Sequence, residues 1–133
     1  MSVALRRAAA PLAWMALIFI LSSRSDPGAD PGAVGRVIAH AGEFALLAAL
    51  WSWALAPWLG RRALGVAIAV SLAYAVGDEV HQSFVPGRDA DPLDVVVDAA
   101  GIALAALLIR RSRSRPGGAG PDPTSRRSRP RPS

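Results

Sequence analysis

Three sets of polar side chains carry the spacing that chemistry on helices needs. His40 and Glu43 are three residues apart; Tyr74, Asp78 and Gln82 follow steps of four, with Glu79 and His81 among them; Asp94, Asp98 and Gly101 follow at steps of four and three. On a helix each set lies along one face. Arg88 ends the run Ser83-Phe84-Val85-Pro86-Gly87-Arg88 between the second and third sets, and its donor fork matches a carboxylate or phosphate bidentately. It either neutralises the acids or receives an anionic ligand.

Each chemistry these residues could perform has a rival. His40-x-x-Glu43 and Asp78-x-x-His81 resemble the spacing of metal sites in helical bundles, and two imidazoles with a carboxylate suit a divalent metal such as zinc. Any polar helical stripe produces the same spacing, so a hydrogen-bonded network is the simpler expectation. With a metal, Arg88 could hold a phosphate or pyrophosphate ester while His40 or His81 moves protons near neutral pH, which describes a membrane hydrolase. Without a metal the acids repel that substrate. Ser22, Ser23 and Ser83 have no histidine near them in sequence, which leaves no evident covalent nucleophile. A proton path fails because the other half of each apolar run holds no ionisable group. The reading without chemistry is a lock of Asp78, Glu79, Arg88 and Asp94 holding Ala- and Gly-rich helices together.

The elements that position these groups follow from composition. The 133 residues are 52 % hydrophobic, above the usual range of a soluble domain. Apolar runs cover Ala8 to Leu21, Phe44 to Leu59 with an outward extension from Val37, Ala63 to Val80, and Leu93 to Ile109. A bilayer core needs about 17 to 25 helical residues, and the last three runs satisfy that without the polar face of a soluble bundle helix. The first is short, and Arg6 and Arg7 before it fit a signal peptide as well. No small-residue cleavage site precedes Arg24, and Pro11 in the first turn is compatible with a helix. The expected fold is therefore an all-α, integral membrane bundle of four transmembrane helices over residues 1–111. Residues 112–133, with six arginines and five prolines, form an expected disordered basic tail.

Arginine placement orients the bundle. Arg6 and Arg7, Arg61 and Arg62, and Arg110, Arg111, Arg113 and Arg115 mark the cytoplasmic segments, so both termini lie inside and the two remaining connections outside. Nine of the ten acids, all but Asp122, and both histidines then fall at the outer end. The net charge of +5 is not interleaved with stacking aromatics, which argues against nucleic acid. The partner it predicts is the lipid bilayer. Trp58, beside Pro57 and Arg61, reads as an interface anchor. The absence of cysteine excludes disulfides, thiolate metal sites and cysteine nucleophiles.

The chain resembles the VanZ-like membrane proteins, named for an accessory protein linked to low-level resistance to the glycopeptide teicoplanin. The resemblance spans about residues 12 to 109. It rests on Leu21-Ser22-Ser23, His40-x-x-Glu43-Phe44, Asp78-Glu79-x-x-Gln82-x-Phe84-x-Pro86-Gly87-Arg88, and Asp94 with Asp98-x-x-Gly101. Asp98 stands where the family often has asparagine, which puts a neutral hydrogen-bonding role there in doubt. The resemblance implies a protein of the bacterial plasma membrane acting near its outer leaflet on lipid-linked or peptidoglycan-related molecules. The expected site is an outward-facing polar pocket of helices two to four with His40, Glu43, Asp78, Glu79, Gln82, Arg88, Asp94 and Asp98, taking an anionic envelope lipid or cell-wall precursor. A partner-binding module without chemistry is the remaining alternative.

Overall fold

Each apolar run becomes a helix, and the break between the second and third becomes a tight turn. The computed structural model describes residues 3–25, 32–88 and 90–114. Its helices are α1 (Val3–Ser22), α2 (Gly32–Leu59), α3 (Ala63–Gln82) and α4 (Pro92–Ser114), and a single 3-10 turn over Gly60–Arg62 joins α2 to α3. Gly60 has a φ of 51°, in the left-handed region open to glycine at little cost, and this lets α2 stop and the chain reverse within three residues.

Two boundaries differ from the sequence expectation. α1 begins at Val3, so Pro11 is interior to the helix and buried, not in its first turn. Proline there has no N–H for the carbonyl four residues back. α4 continues through Ser114, taking in the first three residues of the segment expected to be disordered. The rest of that segment, Arg115 included, lies outside the described residues, as do Asp26, Asp30, Asp89 and Asp122.

Three helical stretches are long and apolar enough to cross a membrane: Leu5–Ser22, Gly32–Gln82 and Pro92–Ser114. The second is 51 residues long and contains both α2 and α3 with the turn between them. Large apolar side chains, among them Phe19, Ile20, Ile38, Val76, Leu104 and Leu108, cover the outside. Exposed apolar surface of that extent fits lipid and not water.

α2 is the central element, packed against each of the other three and most extensively against α4, whereas α1 and α4 make no close approach. The core consists of Ile18, Phe44, Leu47, Ala48, Ala75, Ile102 and Ala105, with Trp14, Trp51 and Leu72 packed against it. α2 and α4 meet backbone to backbone at one point. A Cβ at position 101 would overlap the carbonyl group of Ala41, whereas a Cβ at Gly42 or Gly77 would touch nothing within 4 Å.

That geometry reverses the usual sign of a glycine-to-alanine change in a helix. Gly42→Ala and Gly77→Ala should leave thermal stability unchanged or raised, since alanine is favoured by about 1 kcal/mol. Gly101→Ala should lower it by roughly 1–3 kcal/mol through overpacking, as read from melting temperatures of the purified protein.

Candidate functional site

The turn that presents Arg88 follows from Pro86 and Gly87. α3 unwinds through i→i+3 bonds, with the Phe84 N–H donating to the His81 carbonyl and the Val85 N–H to that of Gln82, both at 3.0 Å. The Arg88 N–H then donates to the Val85 carbonyl at 3.1 Å. Proline in second place and a glycine with φ of 80° in third make this a type II turn. Asp91 starts the next helix: its carboxylate accepts the Leu93 N–H at 2.9 Å, with Pro92 in the first helical position.

One polar group ties α2 to α4. His40 Nδ1 is 3.2 Å from Asp98 Oδ1 and Nε2 is 3.7 Å from Asp94 Oδ2, so each ring nitrogen faces a carboxylate. Asp98 is buried, and Asp94 stands at the edge. Asp98 is thus a hydrogen-bond partner of His40.

A second group ties α3 to α1. Asp78 Oδ2 accepts from Ser22 Oγ and from Gln82 Nε2, each at 2.8 Å, and all three residues are buried. Four residues back, the Tyr74 hydroxyl donates to the Met15 carbonyl at 2.7 Å. Tyr74 and Asp78 therefore bond to α1, which the sequence expectation had left out of the site, and Gln82 supports Asp78 from within α3. The Trp14 indole N–H extends the attachment by donating to the Glu43 carbonyl at 3.0 Å.

Glu43 and Glu79 stand between these groups. Glu43 is within electrostatic reach of His40, Asp78, Asp98 and Arg88, and Glu79 within that of His40, Asp78 and Asp94. The eight residues singled out in the sequence thus share one end of the bundle. Three buried polar atoms there have no hydrogen-bond partner among the described residues: Asp78 Oδ1, Glu79 Oε1 and Arg88 Nε. The ion pairs among the described residues are the two of His40, so Arg88 does not close the acid lock expected of it.

The metal candidates His40, Glu43, Asp78 and His81 do not converge. Among the described residues no group of three or more histidine and carboxylate side chains is placed to hold a metal ion. His40 is directed at α4, whereas Asp78 and His81 are directed at α1. His81 stacks on Phe19 at 4.5 Å between ring centroids, and its Nε2 lies 2.9 Å from Ser23 Oγ. A serine and a histidine distant in sequence do therefore meet, which inspection of near neighbours missed. The Ser23 hydroxyl donates to the Phe19 carbonyl at 2.6 Å, so in that arrangement His81 is the donor to Ser23. A nucleophile and its base require the opposite polarity.

Because Asp98 Oδ1 is paired with His40 Nδ1, a neutral side chain of the same shape that can hydrogen-bond in its place should suffice. Asp98→Asn should keep the melting temperature close to that of the parent protein. Asp98→Leu should lose on the order of 1 kcal/mol, the scale of one polar tie between membrane helices.

No curated protein and no solved structure matches the chain. The model of the family described as VanZ/LLP1 matches residues 8–113, a span that takes in all four helices and every residue of the polar end. The chain belongs to the VanZ/LLP1 family.

Proposed function

We propose that the chain is a four-span protein of the bacterial plasma membrane, with both termini cytoplasmic, whose polar outer end binds an anionic envelope molecule without catalysing a reaction on it. The ligand class is a lipid-linked or peptidoglycan-related phosphate. The observation that carries the reading is Arg88: its Nε is buried and has no partner among the described residues, on a turn held rigid by Pro86 and Gly87. A buried guanidinium nitrogen without an acceptor is costly, and a phosphate oxygen satisfies it. The carboxylates around it are partly occupied, Asp78 by Ser22 and Gln82, and Asp98 by His40, which lessens their repulsion of an anion.

The orientation is supported by Arg6, Arg7, Arg61, Arg62, Arg110, Arg111 and Arg113 flanking the opposite ends of the same helices. Family membership extends the proposal to glycopeptide susceptibility of the teicoplanin type, through retention of a cell-wall precursor at the outer face. A second reading, a structural or partner-binding module, is favoured by the number of polar groups spent on ties between helices. Hydrolysis of a phosphate ester has less support, because the carboxylates and histidines point in different directions.

Arg88→Ala separates these readings. The parent protein, purified from its membrane, should carry an anionic lipid or precursor detectable by mass spectrometry of the extracted lipids. The variant should retain it roughly tenfold less or weaker still, the scale of a lost charge-assisted hydrogen bond, with abundance and melting temperature unchanged. Cells expressing the variant should match the empty-vector control in teicoplanin susceptibility, whereas the parent shifts it. A fall in melting temperature with lipid content unchanged would overturn the binding role in favour of the structural one.

A further inference from the structure

At the end of the bundle away from the acids, α3 and α4 diverge into a groove of about 980 Å³. Its walls are apolar, with Leu64, Ile68 and Leu72 on α3 facing Ile102, Ala106 and Leu107 on α4. Its mouth carries Arg61, Arg110 and Arg113. No aspartate or glutamate occurs in residues 3–25, 44–77 or 99–114, so the helical segments at this end carry no acid, and those of α3 and α4 lie at the far end. Of the three arginines, Arg113 is drawn toward α2 by donating to Ser52 Oγ at 3.3 Å. The guanidinium groups of Arg61 and Arg110 have no hydrogen-bond or ion-pair partner among the described residues.

We propose that this groove is the seat of one anionic phospholipid, its acyl chain along the α3/α4 furrow and its phosphate held by Arg61 and Arg110. Charge complementarity selects the occupant. An apolar channel of this volume accepts a hydrocarbon chain, and two unpaired guanidinium groups at its mouth match a phosphodiester that a zwitterionic lipid partly cancels with its own ammonium. A second copy of the chain offers the mouth no such partner, because the residues it would present at this end are again arginines. The site is separate from the one around Arg88, at the other end of the same helices, so the two stand or fall independently. Gly65 lines the groove and a Cβ there would touch nothing within 4 Å, which makes it a position where a side chain can fill the furrow without strain.

The test titrates the detergent-solubilised full-length protein with dioleoyl phosphatidylglycerol or dioleoyl phosphatidylcholine, counting bound lipids by native mass spectrometry. One phosphatidylglycerol should bind in preference to phosphatidylcholine. Arg61→Gln with Arg110→Gln should weaken it roughly 30-fold, about fivefold for each arginine. Gly65→Leu should exclude it while leaving all three arginines in place. Melting in phosphatidylcholine alone serves as the folding control and should be the same for parent and variants. Equal binding of the two lipids by the parent, or phosphatidylglycerol binding unaffected by Gly65→Leu, would overturn the assignment. So would a dimer that Gly65→Leu converts to monomer in both lipids, since the groove would then be a protein interface.

Discussion

The contact between the Ala41 carbonyl and the missing side chain of Gly101 is the constraint from which the polar end follows. Lipid supplies no hydrophobic drive for one helix to seek another, so membrane helices associate by close packing and by hydrogen bonds between them. With α2 and α4 pressed together at residues 41 and 101, the residues on the same faces are fixed relative to one another. Asp98 and Asp94 lie three and seven positions before Gly101, on its side of α4, and His40 immediately precedes Ala41. The backbone contact thus delivers the imidazole between two carboxylates, and the hydrogen bond to Asp98 in turn resists sliding of one helix along the other.

α1 is attached by a different device. Two of its partners are backbone carbonyls within helices, Met15 O for Tyr74 and Glu43 O for Trp14. Such bonds bring two helices together without adding a charge to the lipid-embedded length. At the acidic end α1 also meets a carboxylate and an imidazole, Ser22 bonding to Asp78 and Phe19 stacking on His81. The outcome is a bundle with carboxylates and histidines at one end, arginines at the other, and between them a length held by alanine, serine, glycine and apolar packing. Among the described residues each end retains groups that its own neighbours do not satisfy: Asp78 Oδ1, Glu79 Oε1 and Arg88 Nε at one, and the guanidinium groups of Arg61 and Arg110 at the other.

Much of this was legible in the sequence because lipid imposes simple rules. Length and continuity of apolar residues located the helices, and the grouping of arginines separated the two ends. Position on one helical face also grouped Tyr74 with Asp78 and Gln82. Which neighbour that face meets is not contained in a periodicity, and the stripe turned toward α1 because Met15 and Ser22 offered partners there. Gly101 was grouped with Asp94 and Asp98 by spacing, but spacing does not distinguish a glycine that leaves space from one that another backbone fills. Ser23 and His81 were likewise hidden, since a pairing across 58 residues depends on how α1 lies against α3. The start of α1 was misread because Ala8 looked like the first apolar residue, whereas the helix extends back past Arg6 and Arg7, whose long side chains remain at the end of the bundle. Arg7 lies over the Trp53 ring at 4.9 Å.

The same commitments bear on the proposed choice between binding and chemistry at the acidic end. General acid or base catalysis requires a titratable group within hydrogen-bond reach of the reacting atom and free to exchange its proton with it. His40 is held between Asp94 and Asp98, and His81 is stacked on Phe19 and bonded to Ser23. Either histidine would have to abandon a bond that secures a helix before it could serve a substrate. Arg88 is under no such obligation: the turn that carries it is fixed by backbone bonds and by the φ of Gly87, so the guanidinium can accept a ligand while the helices keep their partners. An end built so that its proton carriers are engaged and its cation is not is suited to holding an anion more than to transforming one.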